Sequence, residues 1–296
     1  MAKTESNQNE YKMVKMIAYC RTPEEYKIFD YRALRPKYFV EKLEDDGTVD
    51  TSGVHFISQE LDEIKIKDSN IEYYTPNNVG ILLSVTNQSL KRAKDIFEEL
   101  NLLKKLPEAN KKETIQRISI ASYNFIESFQ TSIVFAYTAL EAFANLSIPP
   151  DYIYKQKNKA KGTVELFDKE AIERWLSLDL KLGDMLVEIY STKQLKQHSS
   201  WSTFKILEDL RHDIIHQKSI SRTEFYKKYF KKDVFKVCQC AEEIIDFFYQ
   251  QQKDKNFTNP LWPWLINKKN YFPIEKFKQN RFYHNPKNFD PKTLKE

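Results

Sequence analysis

Hydrophobic positions follow two different periods along this chain. Apolar and polar residues alternate over residues 64–66 and 71–73, a spacing of two that is typical of strands, and a turn signal precedes them at 44–47. The continuous apolar run over residues 79–85 has the pattern of a buried strand. Residues 1–87 are therefore predicted to form a small β-rich N-terminal domain.

Over residues 88–252 the apolar residues recur at three- and four-residue steps, the period of helices that bury one side. The clearest stripe runs through residues 112–147 and stops at Pro149 and Pro150, because proline cannot continue a helix. Further helical patterns follow, over residues 168–191, 200–217 and 223–252. Helices of this length predict an antiparallel bundle.

The periodicity ends after residue 252, where the chain becomes rich in proline, aromatic residues and lysine. Residues 253–296 are predicted to form an extended arm that is held on the body by Trp262, Trp264 and Phe272. Burying one Phe-sized side chain contributes about 1.5–3 kcal/mol, which favours such anchoring. The predicted fold class is mainly α, with a β-rich N-terminal domain and an extended C-terminal arm.

The composition favours a globular protein over a membrane-spanning or secreted one. Hydrophobic residues make up 41% and charged residues 30%, and five glycines among 296 residues argue against glycine-rich phosphate loops. A membrane-spanning stretch of about 18 apolar residues is missing, and the polar start of the chain lacks a secretory signal. Three cysteines, Cys20, Cys238 and Cys240, are too few for a disulfide framework or a four-cysteine zinc site. We therefore expect a cytoplasmic protein without a cofactor.

Positive charge is concentrated at the C-terminal end. The net charge is +5, yet residues 251–296 hold ten Lys/Arg against four Asp/Glu, a net of +6, so the remaining residues sum to −1. A basic arm on a nearly neutral body favours an anionic partner, with nucleic acid first. A solvated, lysine-rich tail is the alternative.

The polar residues best suited to catalysis are clustered at Arg211, His212, Asp213 and His216. Cleaving RNA without a metal requires a base, an acid and a cation. Histidine suits proton transfer because its unperturbed pKa is about 6.5, and arginine grips phosphate with two donors. Residues five apart on an ideal helix differ by about 140°, so Arg211 and His216 converge only if the helix ends near residue 216 or a second subunit completes the cleft.

The sequence Arg-His-Asp-Ile-Ile-His at residues 211–216 resembles the R-X4-6-H motif of HEPN domains. Upstream, residues 137–145 resemble the first core helix of bacterial HEPN proteins, with the run Leu-Glu-Ala-Phe. The resemblance covers residues 112–252. It implies a HEPN-like antiparallel helical bundle that dimerises, and a ribonuclease whose 2′-OH attack leaves a 2′,3′-cyclic phosphate, acting in antiviral defence or toxin-like growth arrest.

The resemblance also implies roles for individual residues. Arg211 would stabilise phosphate charge, His216 would act as base or acid, and His212 would orient the pair. Glu141 and Asp213 would help to orient these side chains without contacting the substrate. Lys218 stands where relatives controlled by an adenylylating antitoxin often carry tyrosine, so that form of control is not expected.

Five lysines are candidates for holding the RNA backbone; four lie in a predicted loop, and the set is Lys155, Lys157, Lys159, Lys161 and Lys218. A simple solvated loop is the alternative. The expected partners are RNA and either a second copy or a regulatory defence protein, with no membrane and no metal.

Three alternatives to catalysis remain open. Arg211 and His216 can be structural, capping a helix end or pairing with Glu208 and Asp209. His212 and His216 can share a metal with Asp213 or Glu208, although H-E-x-x-H is absent. The whole chain can also be a non-catalytic HEPN-like module that binds RNA or a protein.

Overall fold

Helices dominate the architecture, which confirms the mainly α prediction. The computed structural model describes residues 14–20, 22–41, 55–103, 111–158, 162–216, 224–231, 233–252 and 259–276. The helices, in chain order, are α1 (Asn78–Leu103), α2 (Lys111–Ser147), α3 (Lys169–Trp175), α4 (Leu178–Leu180), α5 (Leu186–Ile189), α6 (Ser200–Ile215), α7 (Glu224–Lys227) and α8 (Lys236–Gln252). A π-helical turn, Lys181–Met185, joins α4 to α5, and short 3-10 turns lie at Pro23–Glu25, Leu195–Gln197 and Lys228–Phe230.

The main hydrophobic core lies where α1, α2, α6 and α8 pack on one another. Helix α2 confirms the stripe predicted over residues 112–147, and the side chains on this stripe that are fully buried include Phe125, Phe129, Ile133, Leu140 and Phe143. These side chains recur at three- and four-residue steps, so one side of a long helix meets the other three helices.

A small sheet covers the N-terminal part of the chain and includes a strand from the C-terminal arm. Its strands are β1 (Val14–Tyr19), β2 (Lys37–Val40), β3 (His55–Ile66) and β4 (Ser69–Tyr74), and a separate hairpin is formed by β5 (Tyr154–Asn158) and β6 (Thr163–Phe167). The arm supplies β7 (Ile274–Lys276). The strand order is β1-β3-β2-β7, with β4 paired to the far end of β3. Strand β7 pairs with β2 in parallel, with Tyr38 opposite Ile274.

The buried strand predicted over residues 79–85 is wrong, because α1 begins at Asn78. A short apolar run does not by itself distinguish a buried strand from a buried helix. The decisive local signal is Asn77, whose side-chain oxygen accepts the N–H of Gly80 at 2.9 Å and so caps the helix start. The domain boundary predicted at 87/88 therefore falls inside α1.

Three further predicted segments differ from the structure. The lysine-rich segment expected to be a loop contains the β5–β6 hairpin. The helix predicted over residues 168–191 is divided into α3, α4 and α5. The one predicted over 223–252 is divided into α7, a 3-10 turn and α8. Sequence periodicity locates these buried positions but does not detect short breaks in the backbone.

The C-terminal arm is anchored on the bundle by its tryptophans, as predicted. Trp262 and Trp264 are buried, while Phe272 is partly buried and contacts Trp264 with ring centroids 5.2 Å apart. The indole N–H of Trp262 donates to the hydroxyl of Ser147 at 2.8 Å, at the end of α2. Residues 259–276, the described part of the arm, therefore pack on the folded body.

Replacing Trp262 by alanine is expected to lower the free energy of unfolding by about 3–5 kcal/mol, because a buried aromatic ring is replaced by a cavity. Urea denaturation followed by circular dichroism measures the change. Trp175 is 74% exposed, so Trp175→Ala is the matched control and should change the stability by less than about 0.5 kcal/mol. Equal effects of the two substitutions would show that the arm is not anchored by Trp262.

Candidate functional site

The polar cluster predicted at residues 211–216 lies at the C-terminal end of α6. Phe204, Leu207 and Leu210 are buried and fix which side of α6 faces the core. The helix ends at Ile215, and His216 leaves helical geometry with φ −117° and ψ 43° while its N–H still donates to the His212 carbonyl at 2.9 Å. The helix therefore ends where the sequence analysis required an end.

The two histidines of this cluster are neighbours. The ring centroids of His212 and His216 are 4.7 Å apart, with the ring planes tilted by 45°, and both residues are exposed. Within the described part of the chain, neither imidazole forms a hydrogen bond or an ion pair with another side chain. Both rings therefore lie on the surface of the described part of the chain.

Arg211 is partly buried and lies on an aromatic stack. Its guanidinium carbon is 5.1 Å from the centre of the Tyr137 ring, on α2. The Tyr137 ring in turn stacks on the Phe204 ring, with the centroids 6.5 Å apart and the planes 7° apart. The Phe204 ring also contacts the Trp201 ring, with the centroids 5.0 Å apart. No described carboxylate lies within ion-pair distance of Arg211, so the structural alternative of pairing with Glu208 is not observed.

The carboxylate of Glu208 is occupied by a lysine instead. Lys205 contacts Glu208 and also donates to Asp179 at 2.8 Å. These two carboxylates raise the pKa of Lys205. Burial, followed by the charges of Glu208 and Glu141, raises the pKa of Tyr137 to about 12, whereas Arg211 acts in the opposite direction. The Tyr137 phenol beneath Arg211 is therefore neutral at physiological pH.

Glu141 lies on the same side of α2, one turn after Tyr137. Its charge acts on the pKa of Tyr137 and on that of Lys181. Lys181 is buried, donates to the Asn145 side chain at 3.0 Å, and has a lowered pKa, chiefly because of its burial. Glu141 forms no hydrogen bond or ion pair with Arg211 among the described residues, so its supporting role stays a prediction.

Asp213 is turned away from Arg211, toward the turn that follows α7. Its carboxylate accepts from Lys228 at 2.8 Å. Because Asp213 and Glu208 both contact lysines, the alternative metal set with His212 and His216 is not assembled. More generally, the described ranges contain no group of three or more His, Cys, Asp or Glu side chains that could hold a metal.

The predicted RNA-binding lysines are only partly described. Lys155 and Lys157 are exposed on β5 and share one face of the hairpin, where their cross-strand neighbours are the exposed Leu166 and Val164. Lys159, Lys161 and Lys218 lie outside the described residues. The role of these lysines in holding RNA stays a prediction.

Among the described residues, no hydrogen bond or ring contact joins Arg211 to His216. Because His216 has left helical geometry, the separation of about 140° on an ideal helix does not apply to this pair. Tyr137 and Lys205 are not among the residues predicted from the sequence to belong to the site. The spacing of Lys205, Glu208 and Arg211 at steps of three was available in the sequence as a signal, because such residues are neighbours on a helix.

The fold and this cluster define a mainly helical protein with a small sheet and, at a helix end, a cluster of one partly buried arginine and two exposed histidines. Comparisons with protein-family models, with curated proteins and with solved structures find no match for this chain. Among the described helices, none combines the length and the apolar character needed to cross a membrane.

Proposed function

We propose that this protein is a HEPN-type endoribonuclease that cleaves RNA without a metal. The observation that supports it is Arg211, a guanidinium without a carboxylate partner among the described residues, which lies over Tyr137 and is followed by two exposed imidazoles, His212 at the next position and His216 about a turn later. An arginine that has no described carboxylate partner and lies beside histidines can bind phosphate through charge-assisted hydrogen bonds.

The chemistry follows from the residue types. One imidazole removes the proton from the 2′-OH, and the 2′-oxygen attacks the adjacent phosphorus. The bond from phosphorus to the 5′-oxygen breaks, and a second imidazole gives that oxygen a proton. Arg211 donates to the phosphate oxygens on which negative charge develops. The products are a 2′,3′-cyclic phosphate and a 5′-hydroxyl, and the acid and base have exchanged protonation states.

We further propose that the complete site forms between two copies of the chain. Arg211 lies near the C-terminal end of α6 and His216 just past that end, and no described hydrogen bond joins them, so in this proposal the arginine of one subunit and the histidine of its partner act on one phosphate. A twofold dimer presents the same surface from both copies and would form this arrangement twice.

Arg211→Ala is expected to slow cleavage about 10²–10³-fold, the usual cost of removing a donor that stabilises transition-state charge. The assay incubates purified protein with total RNA in the presence of a chelator and identifies the product ends. Arg174→Ala is the matched control, because Arg174 is exposed and pairs with Glu170 on the surface of α3. Cleavage by Arg211→Ala at the wild-type rate would overturn the proposal.

Mixing inactive subunits tests the shared site. A mixed dimer of Arg211→Ala with His216→Ala holds one intact pair if the two residues act across the interface. Random assortment should then restore about a quarter of the wild-type rate. No recovery in dimers shown to exchange subunits would place both residues in one chain.

The second candidate is a non-catalytic module that binds RNA or a protein. The observation favouring it is that no described hydrogen bond or ring contact joins Arg211 to His216. It predicts salt-sensitive RNA binding with no cleavage, together with a monomeric protein. Sedimentation and the chelator assay distinguish the two candidates.

A further inference from the structure

We propose that Lys205 and Tyr137 are positioning residues that keep the guanidinium of Arg211 away from Glu208 and available to phosphate: Lys205 by occupying Glu208, and Tyr137 by a cation–π contact with the guanidinium. This inference rests on the proposed ribonuclease function and extends it to residues that do not touch the substrate.

Lys205 and Arg211 are both placed to pair with Glu208. Glu208 precedes Arg211 by three residues on α6, a spacing at which oppositely charged side chains pair. Lys205 precedes Glu208 by the same spacing and is the cation that Glu208 contacts. Asp179 approaches Lys205 at 2.8 Å from α4 and holds it in place. Glu208 therefore pairs with Lys205, and no carboxylate in the described part of the chain pairs with Arg211.

The aromatic ring of Tyr137 supports the guanidinium of Arg211. The Tyr137 ring lies 5.1 Å from the guanidinium carbon and is itself backed by Phe204. A stacked guanidinium keeps its five N–H donors at its edges, where they can reach a ligand. Phe204 is fully buried, so the ring that backs Tyr137 belongs to the hydrophobic core. Glu208 and Arg211 both influence the pKa of Tyr137, so both charges lie near the same phenol.

Lys205→Met should release Glu208 to pair with Arg211 and lower kcat/KM for RNA cleavage about 5-fold, the effect expected of a partly exposed ion pair. The double variant Lys205→Met with Glu208→Gln should regain the wild-type value, since glutamine has no charge to capture the arginine. Lys205→Arg should also retain it. Lys196→Met is the matched control, because Lys196 forms a comparable, half-exposed pair with Asp184 at 2.7 Å.

Tyr137→Leu should lower kcat about 10-fold through loss of the cation–π contact, whereas Tyr137→Phe keeps the ring and should retain kcat. Tyr123→Leu is the control, since Tyr123 is 68% exposed on the same helix. In an Arg211→Ala background, Tyr137→Leu should have no further effect on the rate. An additive loss there would mean that Tyr137 acts on stability and not through Arg211.

The side-chain Nε–H signal of Arg211 in NMR spectra tests positioning without any cleavage. The Tyr137 ring should shift this signal in the wild type and in Tyr137→Phe, and the shift should disappear in Tyr137→Leu. In Lys205→Met the signal should move, and addition of Glu208→Gln should restore it. Arg211→Ala that cuts RNA normally would overturn the proposed function, whereas an inactive Arg211→Ala with a fully active Lys205→Met would overturn the positioning role alone.

Discussion

Replacing His216 by alanine is expected to slow RNA cleavage about 10²–10⁴-fold, which is the usual contribution of a group that transfers a proton in the transition state. His216 lies just past the end of α6. Its exposed ring lies beside that of His212, with the ring centroids 4.7 Å apart. The measurement is the single-turnover rate on one defined RNA, with circular dichroism to show that the fold is intact.

His198→Ala is the control for this substitution, because His198 stands at the other end of α6 and bonds to Ser200 at 2.8 Å. His212→Ala should have a smaller effect than His216→Ala if His212 only orients its neighbour. A larger effect would reverse these two roles. A His216→Ala protein that cuts at the wild-type rate would exclude His216 from the chemistry.

Arg35→Met is expected to lower the free energy of unfolding by about 3–5 kcal/mol, because it leaves several buried carbonyls without a donor. Arg35 is 2% exposed and its guanidinium donates to three backbone carbonyls of the arm: to Trp262 at 2.7 Å, to Tyr271 at 2.5 Å and to Asn259. The ring of Tyr249 on α8 lies 5.1 Å from the guanidinium carbon. Burial lowers the pKa of Arg35, but arginine remains charged at physiological pH.

Urea denaturation measures this loss, and Arg32→Met provides the comparison. Arg32 binds Asp30 through two nitrogens, yet its side chain is 55% exposed, so its removal should change the stability by less than about 1 kcal/mol. Limited proteolysis of Arg35→Met should cut the arm first. If Arg35→Met and Arg32→Met are equally stable, the buried arginine does not join the arm to the N-terminal sheet and α8.

Local sequence features predicted the longer elements well. The stripe along α2 needs only a repeat of three and four residues, and one helix of sufficient length satisfies it. The tryptophans of the arm were predicted to be buried because water is a costly environment for them. The strand predicted over residues 79–85 is wrong because the apolar run is compatible with either a strand or a helix, and the helix cap at Asn77 decides for the helix.

Parts of the site could be predicted for the same reason. Arg211, His212 and His216 lie within two turns of one helix, so their residue types and the helix end at Ile215 are local properties. Tyr137 is 74 positions away from Arg211 along the chain. Its place beneath the guanidinium depends on how α2 packs against α6, which no local pattern states.

The sequence by itself determined which sides of the helices are buried, that the arm carries anchoring aromatics, and that arginine and histidine gather at one helix end. Only the tertiary structure decided that β7 joins the N-terminal sheet, that Arg35 is buried under the arm, and that Arg211 rests on Tyr137. The physical reason is the separation of the interacting residues along the chain. Periodicity and helix caps depend on residues a few positions apart, whereas packing brings together groups that are distant in the chain. The energy of each such contact depends on the whole fold.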